Sequence, residues 1–161
     1  MDSYVRGSNF DAIMNASHIT NRVIESAANM VGAEAQITTQ VGYLPLYQDR
    51  LLGELFKQVA EDVVAKDSIF EGIDMVGSSD IGDLSHLLPC IQPTVGGVVG
   101  GLHSDDFFVS DPESAYIIPA KLLALTVIRL LCNNAMIAKE IISQFKPKLT
   151  KSEYLDRLNN M

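Results

Sequence analysis

The sequence predicts an α/β fold, on three observations. An amphipathic helical stripe (Ile13, Met14, Val23, Ile24, Ala27, Ala28, Val31) is followed by an Ile/Thr/Val-rich run, Glu34–Val41, that alternates as a strand does. A second helical stripe (Leu51, Leu52, Leu55, Phe56, Val59, Val63, Val64) opens at Asp49. Between that stripe and a long apolar helical run lies Gly77–Asp106, with four acidic residues, two histidines and six glycines. Helices and strands that only build a core are not composed this way. Glycine gives backbone freedom, and aspartate and histidine bring acid/base or metal-ligand chemistry.

Each element has its own signal. Tyr4–Arg6 is a short strand candidate, and Ser8 or Asn9 can cap the first helix, with Asp11 favouring the positive end of its dipole. Gly32 supplies the stop of that helix. Residues 1–41 thus predict strand–helix–strand, half of a split plait whose sheet edges need a partner. Gly42–Leu46 breaks the pattern and is the hinge candidate. Ser68–Val76 is expected to lead into a strand, and Pro93–Val99 is a strand candidate inside the glycine-rich run. Asp111-Pro112-Glu113 has the cap and following proline of a helix start, and Pro119 is expected to restart that helix. Leu122–Leu131 is apolar nearly all round, which predicts a buried helix. Asn133–Phe145 reads as a further helix with Ile137, Ile141 and Ile142 inward. Thr150-Lys151-Ser152-Glu153 is a capping box opening a terminal one.

Composition bounds the function. With 161 residues, 47% hydrophobic and 20% charged, the chain is long and apolar enough to form a folded core. A formal net charge of −8 argues against a nucleic-acid surface, which needs clustered Lys and Arg; Lys146, Lys148 and Lys151 read as a solvated helix junction. Cys90 and Cys132 have no CxxC spacing, so neither a disulfide framework nor a zinc ribbon is indicated. The N-terminus lacks an apolar signal core, and Ala115–Leu131, interrupted by Pro119, Lys121 and Arg129, reads as too short and too polar to span a bilayer. The expectation is a cytoplasmic chain without membrane or nucleic-acid partners.

The chemistry candidates fall within the glycine-rich run. His103 follows Gly100-Gly101 and precedes Ser104-Asp105-Asp106, so backbone can approach a ligand and carboxylates stand beside a potential imidazole ligand. The competing reading is a loop histidine with no role. Asp80 and Asp83, across Gly82, read as loop residues that could bind a metal, hold a substrate amine or cap the turn through side-chain-to-backbone bonds. His86 could pair with Asp83 as an acid/base unit, although a histidine among leucines is more often a satisfied, partly buried residue. His18 reads as a surface residue of the first helix. The glycine pairs do not fit GxGxxG or a P-loop, and neither GxSxG nor HExxH occurs. A catalytic zinc needs three protein ligands and an open position, and one convincing histidine does not supply them. On its own the chain is expected to be an incomplete enzyme.

Ser3-Tyr4-Val5-Arg6-Gly7, Gly42-Tyr43-Leu44-Pro45-Leu46, Ser78-Ser79-Asp80-Ile81-Gly82-Asp83-Leu84-Ser85 and Gly101-Leu102-His103-Ser104 occur in an order and spacing that carry a resemblance. Over nearly its whole length the chain resembles the C-terminal part of the aminoacylase/glutamate-carboxypeptidase family of metallohydrolases, nearest to the aminobenzoyl-glutamate hydrolase-like amidohydrolases. The SSDIGDLS segment with the following GxxHS is the most specific part. The resemblance implies a zinc-hydrolase-type mixed-sheet catalytic domain interrupted by a ferredoxin-like lid that dimerises. Residues 1–44 would be the second half of that lid and residues 45–161 the C-terminal part of the catalytic domain.

It further implies that His103 is a metal ligand, that Asp80 and Asp83 lie on the substrate side of the site, and that Arg6 in the lid strand faces substrate. The family's HxD ligand motif, bridging aspartate and Glu-Glu pair with the general base belong upstream, and none is in this sequence. The implied function is the C-terminal part of a dinuclear Zn²⁺-dependent amidohydrolase or peptidase acting on an N-acyl amino acid or dipeptide. Its expected partners are a second copy or the missing N-terminal portion. The alternatives are a non-catalytic dimerisation or interaction module, and a self-sufficient hydrolase built from Asp83, His86 and His103.

Overall fold

The computed structural model describes residues 1–40, 42–73 and 77–159, and they form a mixed, mainly helical chain with one two-stranded sheet. Two compact units divide it, both discontinuous in sequence: residues 1–47, 77–87 and 147–161 make the first, residues 48–76 and 88–146 the second. Leu44 and Pro45, where the sequence reading divides the chain, lie inside the first unit.

The first unit holds α1 (Phe10–Met30), a short α3 (Asp80–Ser85) and α5 (Lys151–Asn159). Asn9 caps α1, its side-chain oxygen accepting the Ala12 N–H at 2.9 Å, and Gly32 (φ 70°) takes the left-handed turn that ends it. No residue of α1 is buried, and Met14, Val23 and Ile24 of its apolar stripe are exposed. The expected capping box opens α5. Glu153 Oε2 accepts the Thr150 N–H (2.7 Å) and hydroxyl (2.8 Å), and Thr150 Oγ1 accepts the Glu153 N–H at 3.2 Å.

The expected strands on either side of α1 do not form. Tyr4–Arg6 and residues 34–40 have no ladder, and Val41 lies outside the described residues. A strand is stabilised by its neighbour, and among the described residues no other strand pairs with either segment. α3 is a second correction, because Asp80 and Asp83 stand on a helix rather than in a loop. Gly82 and the flanking serines suggest a loop, but Gly82 serves a close approach: a Cβ there would lie 2.0 Å from the Leu44 carbonyl oxygen.

In the second unit, α2 (Arg50–Val63) packs on α4 (Ile118–Gln144). Asp49 caps α2 by accepting the Leu52 N–H at 2.8 Å. The core is small. Val59, Ala60 and Leu122 are its buried centre, with Phe56, Val63, Val64, Ile69 and Ile118 around them. Lys57–Glu71 (2.5 Å) and Arg129–Asp62 pair at its edge. Ser68 ends a 3₁₀ turn, residues 69–73 form no strand, and residues 74–76 of the expected strand lie outside the described residues. The Pro93–Val99 strand shrinks to β1 (Val98–Val99), which pairs antiparallel with β2 (Phe108–Val109) in the register Val98↔Val109 and Val99↔Phe108.

Asp111 starts the next helix as expected, accepting the N–H groups of Glu113 (3.1 Å) and Ser114 (3.3 Å) and the Ser114 hydroxyl (2.6 Å). Glu113–Ile117 then make a widened π turn in which the Ile118 N–H reaches back to the Glu113 carbonyl. The Pro119 ring would crowd a regular turn, and the wider one accommodates it. α4 is interrupted at Cys132–Ala135, where Asn133, Asn134 and Ala135 take left-handed φ near +50 to +57°. The break takes in the first three residues of the further helix expected over Asn133–Phe145.

Burial of α4 differs from expectation. Only Leu122, Thr126 and Ile141 are buried, whereas Leu123, Val127, Ile128 and Leu131 are all more than half exposed. α2 packs against the face that holds Leu122. By length and composition Glu113–Gln144 is long and apolar enough to cross a membrane, a longer span than the run weighed in the sequence, and 11% of its most apolar window is buried.

The exposed area makes the same point in numbers. The chain exposes 12066 Å². Two separate compact domains of its units' sizes would together expose only about 9,500 Å² by the usual mass scaling. The excess is several times the roughly 800 Å² that each partner buries in a standard protein interface.

Candidate functional site

In the first unit, three side chains of the SSDIGDLS segment and its neighbour hold the Leu44–Tyr47 backbone. Asp83 Oδ1 accepts the Leu44 N–H at 2.8 Å, Ser85 Oγ accepts the Tyr47 N–H at 2.9 Å, and His86 Nε2 donates to the Pro45 carbonyl at 2.9 Å. The one-turn α3 places all three toward the same extended segment, and Gly82 lets the two backbones close to contact. Ser85 is 1% exposed and His86 5%. The Ser85 hydroxyl donates in turn to the Gly82 carbonyl at 2.5 Å.

The second oxygen of Asp83 is also occupied, because the Tyr154 hydroxyl of α5 donates to Oδ2 at 3.1 Å. Burial, then the nearby Asp83 charge, pushes the Tyr154 hydroxyl above its ordinary range. The His86 carbonyl accepts the N–H groups of Lys148 (2.9 Å) and Leu149 (3.2 Å). The Tyr47 ring meets the His86 ring edge-on, and the Lys148 ammonium sits 5.0 Å from the Tyr47 ring centre. Asp83 thus bonds the Leu44 backbone and Tyr154 rather than capping its own turn, and His86 is buried with its ring hydrogen-bonded. Within the hinge expected at Gly42–Leu46, Leu44 and Pro45 are held by these bonds.

His103 stands in the other unit, on the exposed loop between β1 and β2, with φ 63° in the left-handed region. The loop is tied internally. Asp106 Oδ1 accepts the Gly101 N–H at 3.2 Å and the Ser104 hydroxyl, the Gly101 carbonyl accepts the Ser104 N–H at 3.0 Å, and the Ser104 carbonyl accepts the Phe107 N–H at 3.2 Å. The Ser104 hydroxyl, and after it the Gly101 N–H, holds the Asp106 carboxyl below the usual carboxylate range. Asp80 is exposed at the start of α3, and Arg6 is exposed with its guanidinium 5.9 Å from the Tyr4 ring centre. His18 is exposed on α1.

Among the described residues, no three His, Cys, Asp or Glu side chains come together. His103 can give one imidazole nitrogen, and a zinc site needs at least two further protein ligands. Burial, and then the Asp49 charge, push the Cys90 thiol up. The network around Asp83, Ser85 and His86 escaped the sequence reading because its partners lie 38 to 71 residues away in the chain. The tyrosines and Leu44–Pro45 give no periodic signal of that pairing.

No family model matches the chain, and neither a curated protein nor a solved structure matches it.

Proposed function

We propose that this chain is the C-terminal portion of a dinuclear metal-dependent amidohydrolase or peptidase, which hydrolyses an amide bond of an N-acyl amino acid or dipeptide and is inactive as the chain alone. The observation that carries this reading is the ordered set of motifs, with SSDIGDLS followed by GLHS. The excess of exposed surface supports incompleteness, because it exceeds what two separate compact domains of these sizes would show. In the intact enzyme two divalent metals, Zn²⁺ above all, would supply a hydroxide nucleophile near neutral pH.

Within this reading His103 offers one imidazole nitrogen to a metal from a loop that leaves it open to a neighbouring segment. Asp83 and His86 fix the Leu44–Tyr47 segment that follows the lid half, Asp80 and Arg6 keep exposed side chains for the substrate side, and residues 45–161 remain the catalytic part. The cellular setting is cytoplasmic, and the zinc-hydrolase sheet and ferredoxin-like lid would be completed by residues from outside this sequence.

A second reading, a non-catalytic dimerisation or interaction module, is favoured by the exposed apolar faces of α1 and α4. The two separate on metal. Purified chain supplied with zinc should retain it below one ion per chain and show no amide hydrolysis. When the missing half is supplied, zinc content and hydrolysis should both appear and both fall with His103→Ala. Unchanged zinc and turnover in that variant would sink the hydrolase reading.

A further inference from the structure

The loop that carries His103 is more ordered than an exposed run of glycine, serine and aspartate requires. Its ends are pinned by β1 and β2 through the Val99↔Phe108 pair. Gly100 has φ 91°, and a Cβ on it would fall 2.2 Å from the Asp106 carbonyl oxygen, so the two arms of the loop touch backbone to backbone there. Across the loop, Asp106 Oδ1 takes the Gly101 N–H on one side of His103 and the Ser104 hydroxyl on the other. His103 itself holds φ 63°. Histidine visits that region more readily than most side chains but needs local support to stay there.

We propose that Asp106 is the positioning residue of this loop, bridging Gly101 and Ser104 so that the His103 backbone is held left-handed. The proposal rests on the reading of His103 as a metal ligand only for what this positioning serves. Ligating histidines depend on neighbours that fix their orientation, and loss of such a neighbour commonly weakens the site by about 10- to 100-fold. Asp106 acts one step back, on the backbone that carries the ring.

The test compares Asp106→Ala and Asp106→Asn in the full chain by NMR. An asparagine keeps the acceptor oxygen, and an alanine removes it. In Asp106→Ala the Gly101 amide should exchange with solvent about fivefold faster, as expected for one lost hydrogen bond. The strong intraresidue amide-to-Hα contact that marks positive φ at His103 should also weaken. Asp106→Asn should keep both, which a bulk or folding effect would not produce. Wild-type exchange and a retained positive φ in Asp106→Ala overturn the proposal. So does an equal loss in both variants. A loosened loop in Asp106→Ala, alongside undiminished zinc in His103→Ala of the completed enzyme, leaves the positioning in place and sinks the metal-ligand reading instead.

Discussion

Gly82→Ala destabilises the first unit by about 3 kcal/mol or more, the upper end of what overpacking costs. The added Cβ would sit 2.0 Å from the Leu44 carbonyl oxygen and 3.2 Å from its carbon, and both are backbone atoms that no rotamer change can move. α3 must then back away from the Leu44–Tyr47 segment. The retreat stretches the bonds that Asp83, Ser85 and His86 make to that segment, and it exposes or orphans buried polar groups. Alanine is otherwise the better helix former by about 1 kcal/mol, so local propensity predicts the opposite sign. Urea unfolding followed by circular dichroism decides between them. Faster exchange of the Leu44 amide would locate the damage.

The second large effect lies in the other unit. Leu122→Ala costs about 2 to 3 kcal/mol, the lower half of the usual range, because a core of three buried residues can partly collapse around the gap. Its neighbour provides the control. Leu123 is 62% exposed, and Leu123→Ala should change unfolding of the isolated chain by less than about 0.5 kcal/mol. A comparable loss at both positions would mean that the outer face of α4 is already covered in solution.

Acid should loosen the start of α5. Hydrogen bonds from the Thr150 backbone N–H first, and its hydroxyl second, hold the Glu153 carboxyl below its ordinary value of 4.5. A depressed folded value means that the cap is intact above 4.5 and is lost as pH falls through the lower, folded value. The Thr150 amide resonance should therefore titrate with a midpoint below 4.5. A midpoint at or above 4.5 contradicts the capping box.

What was legible in the sequence was local. The caps of α1 and α2, the Asp111 start and the Thr150–Glu153 box are set by side chains within four residues of the feature they control, and each reads directly. The strands failed for a physical reason: Tyr4–Arg6 and residues 34–40 have strand composition without a neighbour, and composition does not make a ladder. α3 failed because Gly82 answers to Leu44, 38 residues away, rather than to helix propensity. Position of His103 in a loop was legible, whereas its left-handed backbone and the Asp106 bridge were not. The all-round apolar pattern of Leu122–Leu131 signalled a helix but not its burial, because only Leu122 and Thr126 of that run are buried.

The central claim is that the remaining ligands and the general base are encoded ahead of this segment. Sequencing the transcript through the Met1 codon toward its 5′ end tests it most directly. The account predicts coding sequence, in frame or in an adjacent reading frame, with a His-x-Asp motif, a later aspartate and an adjacent Glu-Glu pair. A transcript that starts this chain at Met1, with no such coding sequence beside it, would contradict the account and favour the interaction module.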